Sequence, residues 1–225
     1  MTSKIQFTFL LALALGGTLI AGGAKKADTN KKGALLYETC KTCHGDKGEG
    51  NTLIEAPSIL GLPEWYLIST LTKFKEGIRG AHPDDKRGLN MRPMARALKG
   101  KEEIEAVAKY VANMKPVPAK HTLKGDPVKG KALYATCFAC HGMKGEGTKP
   151  PIAAPPIANL PDWYVVNQLE KFKSGVRGTH PKDTTGASMR GMAIALPNKQ
   201  AMIDVAAYIA TLKATTQEKA EPAKH

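Results

Sequence analysis

The sequence predicts an all-α protein of two tandem domains related by internal duplication. Two observations support this prediction: a segment of about ninety residues occurs twice, and each copy places apolar residues at helical spacing without a convincing strand. Of the 225 residues, 42% are hydrophobic and 24% are charged. These fractions are close to the globular average, which argues against wholesale disorder and against a polytopic membrane protein.

Residues 1–24 have the features of a secretory signal peptide. Lys4 supplies a short positive start, residues 7–20 are apolar apart from small residues and Thr, and Gly22 and Ala24 offer a small-x-small cleavage site. The alternative is an N-terminal anchor, because the apolar stretch is just long enough to cross a thin bilayer. We therefore expect export to the periplasm, with membrane tethering if residues 1–24 are retained.

The duplication is visible residue by residue. Residues 31–50 (KKGALLYETCKTCHGDKGEG) reappear as residues 128–147 (VKGKALYATCFACHGMKGEG), and residues 62–83 match residues 160–181. The offset is 97 at Cys40 and Cys137 but 98 at Trp65 and Trp163, so one residue was inserted between them. We assign residues 31–114 to the first domain, 115–126 to a Pro- and Lys-containing linker, 127–214 to the second domain and 215–225 to a disordered tail.

Three helices are predicted in each copy. The first runs into the cysteine motif from about Gly33 or Val128. The second has Pro63 or Pro161 at its first helical position and leaves at Gly77 or Gly175. The third starts at acidic residues, ends before Pro116 and is predicted to bury Ile104, Val107, Val111 and Met114.

The cysteines form two Cys-x-x-Cys-His motifs, the attachment signature of c-type haem. They are Cys40, Cys43 and His44 in the first copy, and Cys137, Cys140 and His141 in the second. Two thiols about one helical turn apart can each add to a haem vinyl group, and the adjacent His can then bind the iron from below. The sequence thus predicts two covalently bound haem c groups, each with its iron.

Two other uses of these motifs are considered. A zinc site could take both cysteine pairs, but the pairs lie far beyond the usual ligand spacing and a His follows each. A thioredoxin-like redox pair needs a βαβ setting, which the sequence lacks.

The sixth iron ligand must come from the opposite face of the ring. Each copy offers two methionines, Met91 with Met94 and Met189 with Met192, and a thioether suits iron and raises its potential. Core packing is the alternative role of these methionines, and His82 or His180 is an alternative ligand.

These motifs resemble those of the class I cytochromes c, and their duplication resembles the dihaem cytochrome c-four type. The resemblance covers residues 31–214 approximately. It implies two tandem class I domains, each built around one haem, with His44 and His141 as proximal ligands and Met91 and Met189 as distal ligands. It also implies that the carbonyl groups of Pro57 and Pro155 bind the outer nitrogens of the two histidines, although a plain turn role is the alternative.

Arg79 and Arg177 recur in the segments GIRGAHP and GVRGTHP. A guanidinium binds carboxylates in a bidentate manner, so these arginines are candidates for pairing with haem propionates or for shaping the contact between the domains. Exposed loop positions are the alternative.

The formal net charge is +13 at pH 7. No nucleic-acid motif accompanies the lysines, so we expect no nucleic-acid partner. We expect acidic redox partners, such as a terminal oxidase, a reductase or a quinol-oxidising complex, or association with an anionic membrane surface.

Three functions are compatible with these features. The first is a periplasmic one-electron carrier between respiratory complexes, which is not an enzyme and has no catalytic residues. The second is a cytochrome subunit of a dehydrogenase or terminal reductase. The third is an enzyme, a dihaem peroxidase or a thiosulfate-oxidising cytochrome, which would need an open or differently ligated haem.

Overall fold

The computed structural model describes residues 20–213. The regular secondary structure in this range is helical, and loops join the helices. Within this range there is no β-strand; two isolated bridges join Asn51 to Ala56 and Thr148 to Ala154. No helix in the described range is long and apolar enough to cross a membrane. The predicted signal segment lies outside the described residues as far as position 19, and so does the predicted tail at 215–225.

The helices follow the same order in both copies. The first copy contains α1 (Ile20–His44), a 3-10 turn (Thr52–Ile54), α2 (Glu64–Glu76), α3 (Lys86–Ala97) and α4 (Lys101–Ala112). The second contains α5 (Pro127–Tyr134), α6 (Phe138–His141), α7 (Asp162–Ser174), α8 (Thr184–Ile194) and α9 (Lys199–Thr211). The prediction of an all-α protein with two tandem domains is confirmed.

The first helix of each copy crosses the last one closely. Gly33 of α1 lies against α4, and Gly130 of α5 lies against α9; a Cβ atom at either position would overlap a backbone carbonyl, that of Ala106 or Asp204. Glycine is therefore required at both crossings. Each crossing closes a separate apolar core, in which Ile104, Val107 and Val111 are buried in the first copy, as predicted, and Met114 packs at its edge.

The predicted first helix needs one correction in each copy. α1 begins well before Gly33, at Ile20. In the second copy the helix is interrupted before the cysteine motif, because the amides of Ala135 and Cys137 bond carbonyls three residues back, at 3.3 and 2.8 Å, and the Thr136 hydroxyl donates to the Leu133 carbonyl. This tighter hydrogen bonding separates α5 from α6.

The second helices begin one residue later than predicted. Pro63 and Pro161 have non-helical backbones, with ψ of 150° and 135°, and precede the helices as N-caps, because their carbonyls accept the first helical bonds. Gly77 and Gly175 end the helices in left-handed conformation, with φ of 76° and 83°. The exits are therefore as predicted.

One helix in each copy was not predicted. α3 and α8 contain the methionine pairs, and each starts at an aspartate, Asp85 or Asp183, whose side chain accepts a hydrogen bond from the amide of Gly88 or Gly186. Pro93 lies inside α3. The two methionines of each pair therefore lie on a single helix.

The segment at 115–126 contains no helix before Pro127, and it is held to the second domain by hydrogen bonds. The Ala119 amide donates to Asn159 Oδ1 at 3.1 Å. The amides of Thr122 and Leu123 both donate to Asp162 Oδ2 at 2.7 Å, and Asp162 is buried. The linker therefore follows the surface of the second domain.

Candidate functional site

The Cys-x-x-Cys-His motif of the first copy occupies the last turns of α1. Cys40 and Cys43 are three residues apart and so lie on neighbouring positions of one helix face. Neither forms a disulfide bond, and nor do Cys137 and Cys140 around α6. Cys40 is half-buried and Cys43 exposed, so one side of the motif faces the interior and the other the surface.

Each motif histidine is held by a backbone carbonyl. His44 Nδ1 lies 2.8 Å from the Pro57 oxygen, and His141 Nδ1 lies 2.9 Å from the Pro155 oxygen. A carbonyl can only accept, so Nδ1 carries the proton and Nε2 keeps its lone pair. Burial lowers the pKa of both imidazoles, although the hydrogen bonds to the carbonyls oppose this effect. A buried, neutral imidazole with a free Nε2 is a good iron ligand.

A cavity of about 450 Å³ lies beside His44. Its lining includes Cys40, Cys43, Pro57, Met91 and Met94, and the remaining wall is mostly apolar. This volume is within the range of small-molecule and cofactor sites. The predicted proximal histidine and both candidate methionines of the first copy thus border one space.

The two methionines of each pair differ in exposure. Met94 is 41% exposed and Met192 is 47% exposed. Met91 is half-buried, and Met189 packs against the core of the second domain. A distal ligand must be covered by the group it binds. Met91 and Met189, the more buried member of each pair, meet this requirement better.

The predicted alternative ligands, His82 and His180, are bound within their own loops. His82 Nδ1 accepts a hydrogen bond from the Asp84 amide and His180 Nδ1 from the Lys182 amide, both at 3.2 Å. His82 does not line the cavity beside His44. A zinc site is not formed either, since the described residues contain no group of three or more His, Cys, Asp or Glu arranged for a metal ion.

The second domain completes the wall of the first cavity. Trp163, Tyr164 and Gln168 of α7 line it, and sequence analysis had assigned none of these residues to a site. The Trp163 indole Nε1 is buried, as is that of Trp65, and neither has a hydrogen-bond partner within residues 20–213. An indole N–H can only donate, and a buried unpaired donor is costly. The donor fits an acceptor group such as a haem carboxylate.

Arg79 and Arg177 meet at the contact between the domains. Arg79 is buried and donates to the Tyr164 hydroxyl at 2.9 Å and to Gln168 Oε1 at 3.2 Å. Arg177 donates to the same Gln168 oxygen at 2.7 Å. Burial and the nearby Arg79 charge lower the pKa of Arg177. The sequence predicted that these arginines pair with haem propionates or shape the contact between the domains. Arg79 lies directly in that contact.

Neither guanidinium forms an ion pair with a carboxylate of the described chain within 4.0 Å. Each stacks on a phenylalanine of its own domain instead, at 4.6 Å over Phe74 and 4.4 Å over Phe172. Two clustered cations without carboxylate partners fit an anionic group placed between the domains. The thiols, the oriented histidines, the unpaired indoles and these arginines are together suited to haem.

The fold and site define a tandem haem-binding protein, in which each helical repeat ends its first helical segment in a haem-attachment motif. The family model for cytochrome c matches residues 30–115 and 127–213. The chain belongs to the cytochrome c family, and its two motifs carry two covalently bound haem c groups.

Three relatives illustrate the family's range. The chain is 32% identical over 142 residues to the Cbb3-type cytochrome c oxidase subunit CcoP of Rubrivivax gelatinosus. The aligned region covers 61% of this chain and 40% of that protein. It is 29% identical over 157 residues to the thiosulfate dehydrogenase electron acceptor of Thiomonas intermedia, covering 64% and 66%. The solved structure of Acidithiobacillus ferrooxidans cytochrome c4 superposes with a TM-score of 0.64 at 27% identity, over 78% of this chain and 99% of that one.

The chain thus spans two fifths to two thirds of the length of the two curated relatives, whereas it matches the whole of the cytochrome c4 structure. The resemblance to the dihaem cytochrome c4 type is confirmed. The protein is a dihaem cytochrome c related to cytochrome c4 and to cytochrome components of larger redox systems.

Proposed function

We propose that this protein is a periplasmic one-electron carrier between respiratory complexes. The observation that carries the proposal is the cavity beside His44, which is bordered by a carbonyl-oriented, neutral histidine and by the half-buried Met91. In the second copy the Pro155 carbonyl holds His141 in the same way, and Met189 and Cys137 both pack against the second apolar core. When bound, each haem iron supplies a one-electron redox couple.

The chain's own residues then have distinct tasks. The four cysteines hold the two haems through thioether bonds. His44 and His141 are the proximal ligands, and the Pro57 and Pro155 carbonyls fix their orientation and basicity. Met91 and Met189 are the distal ligands, which close the iron to substrates and raise its potential.

Arg79 and Arg177 are proposed to bind the haem carboxylates from the domain contact. Support comes from their position between the domains and from the absence of a carboxylate partner within residues 20–213. The Trp163 indole, which lines the first cavity, is a further donor for the same group.

The partners are proposed to be acidic redox proteins, such as a terminal oxidase, a reductase or a quinol-oxidising complex. The net charge of +13 supports long-range attraction to such partners or to an anionic membrane surface. Screening acts over about 10 Å at 0.1 M salt, so transfer to a transient partner will slow as salt increases.

A second candidate function is a permanent cytochrome subunit. It is favoured by the similarity to a protein named as an oxidase subunit. An enzymatic function, in peroxide or thiosulfate chemistry, is less well supported, because both copies offer a methionine that would close the haem.

The test combines spin state, turnover and salt dependence. For a carrier we expect two low-spin six-coordinate haems, negligible peroxide and thiosulfate turnover, and reduction by an acidic partner protein that slows with ionic strength. A high-spin haem with substantial turnover would support the enzyme. Reduction that is independent of salt and occurs in a stable complex from the native host would support the subunit.

A further inference from the structure

Two lysines reach from one domain into the other in a reciprocal manner. Lys73 Nζ of α2 lies 2.6 Å from Asp183 Oδ1 in the second domain. Lys171 Nζ of α7 lies 2.6 Å from Asp85 Oδ1 in the first domain. The two lysines occupy equivalent repeat positions, and so do the two aspartates. The duplication has therefore produced two crossed ion pairs across one contact.

The aspartates are the N-caps of the helices that carry the methionines. Asp85 Oδ1 accepts from the Gly88 amide at 3.0 Å, at the start of α3. Asp183 Oδ1 accepts from the Gly186 amide at 3.1 Å, at the start of α8. In each case the same carboxylate oxygen serves the helix of its own domain and the lysine of the other domain.

These ion pairs are shielded from solvent. The side chains of Asp183 and Asp85 are 3% and 4% exposed, and those of Lys73 and Lys171 are 22% and 15% exposed. Removing one member of a buried pair leaves the other charge uncompensated, which is far more costly than losing a surface pair. Loss of either lysine is therefore expected to destabilise the helix cap formed by the aspartate that it contacts.

The local sequence accommodates each cap closely. A Cβ atom at Gly88 or Gly186 would overlap the carboxyl group of the capping aspartate. Only glycine lets the carboxylate approach the helix start this closely.

We propose that Lys73 and Lys171 are positioning residues for the distal iron ligands, each acting on the haem of the other domain. By holding the cap of α8, Lys73 fixes the start of the helix that presents the second domain's methionine. Lys171 does the same for α3 and the first domain's methionine. The inference rests on the proposed function only in requiring that one methionine of α3 and one of α8 bind iron. It holds whichever methionine of each helix is the ligand.

The two crossed contacts differ in one respect. Lys73 Nζ also lies 2.7 Å from the Thr185 hydroxyl, in the first turn of α8. The equivalent residue of the first domain is Arg87, which pairs at 2.9 Å with Glu55 of its own domain. The second haem is therefore the more dependent on its neighbour, and Lys73 is the more informative residue to change.

The experiment uses the full dihaem protein with Lys73→Met or Lys171→Met, which remove the charge and keep a long side chain. Two upfield methionine methyl signals are followed by NMR in the reduced protein, assigned with Met91→Ala and Met189→Ala. Displacement of each methionine is followed by alkaline titration of the oxidised protein. We expect Lys73→Met to increase displacement of the second domain's methionine about tenfold with the first unchanged, and Lys171→Met to do the reverse.

Lys129→Met is the matched control. Lys129 also pairs with a helix-capping aspartate, Asp126, at 3.6 Å, but this pair is exposed and local, because the two residues are three positions apart at the start of α5. We expect this variant to leave both methionine signals unchanged. Hydrogen exchange adds a readout that does not depend on the ligand: Lys73→Met should speed exchange of the amides at 184–187, and Lys171→Met those at 86–89.

The outcomes separate the inference from the function on which it rests. Absence of methionine signals in the unmodified protein would contradict the proposed ligation. Normal signals that shift only in the mutated lysine's own domain, or that do not shift in either variant, would overturn the positioning inference. Faster exchange at the crossed helix start with unchanged methionine displacement would also overturn it, since the lysines would then only stabilise the domain contact.

Discussion

Exposure distinguishes the two methionines that each repeat supplies. Met91 and Met94 lie on the same helix and border the same cavity, but Met94 is 41% exposed. A thioether bound to iron must have its sulfur inside the haem pocket, and a side chain near the ring edge can remain partly in solvent. This difference in exposure supports our proposal that Met91 is the ligand and Met94 a packing residue.

We expect the charge-transfer band between sulfur and iron in the near infrared to lose about half its intensity in Met91→Ala and in Met189→Ala, because each removes one of two such bonds. Met94→Ala and Met192→Ala serve as matched controls and should retain the band. The measurement is the absorption spectrum of the oxidised protein. Full intensity in the first two variants with losses in the controls would reverse the assignment.

The residues of the site differ in how far the sequence could predict them. The cysteines and histidines follow from a motif whose spacing is set by haem chemistry. Trp163 and Gln168 could not be assigned, because their position in the first cavity depends on how the two copies face each other. The ion pairs of Lys73 and Lys171 could not be predicted either, because a lysine on a helix is usually solvated and nothing in the sequence shows that these two reach the other domain.

Among the helices, the prediction succeeded where the apolar period was clear and failed where it was not. The helix at 101–112 places Ile104, Val107 and Val111 on one face, and this pattern identified it. α3 contains Gly88 and Pro93, which are poor helix formers. Its formation depends on the Asp85 cap and on tertiary contacts, which single-sequence propensity does not include.

The glycines within helices have different roles, and alanine substitution will separate them. We expect Gly130→Ala to lower the thermal unfolding midpoint, because its Cβ would overlap α9 and overpacking costs about 1–3 kcal/mol. Gly191→Ala in α8 meets nothing within 4 Å and should raise the midpoint, since Ala is favoured over Gly in helices by about 1 kcal/mol. Circular dichroism during heating measures both changes.

Equal midpoints for the two variants would contradict the close crossing of α5 and α9. A lower midpoint in Gly191→Ala would mean that this position is in contact with a further group. The comparison is internally controlled, because both glycines lie in helices of the second domain.

For the whole molecule, the contact between the domains is a site of concentrated charge. Lys73, Lys171, Arg79 and Arg177 meet there with two aspartates, so the described chain contributes more positive than negative charge. Haem carboxylates would offset this excess. Binding of haem and docking of the domains are therefore expected to stabilise each other, although each domain has its own apolar core.

Acid should weaken this contact through Asp183. Burial raises the pKa of this carboxyl, but the hydrogen bond and charge of Lys73, the Gly186 amide and the Arg177 charge together hold it below its ordinary value of 3.8. A carboxyl whose pKa is lower in the folded state stabilises that state above the unfolded pKa, and this stabilisation is lost as the pH falls through the folded value. The contribution is thus complete near neutral pH and begins to decline as the pH falls below about 4, where the unfolded carboxyl takes up its proton.

We therefore expect the difference in free energy of unfolding between the unmodified protein and Lys73→Met to be large at pH 7 and to shrink as the pH falls below about 4. Other carboxylates titrate in both proteins and cancel in this difference, so it reports the pair of Lys73 with Asp183. Denaturant unfolding at a series of pH values measures it, with Lys129→Met as the control whose exposed pair should give a small difference throughout. A difference for Lys73→Met that stays constant from pH 7 to pH 3 would mean that Lys73 acts through the Thr185 hydroxyl and not through the Asp183 carboxylate. The crossed ion pair would then not be what holds α8 to the first domain.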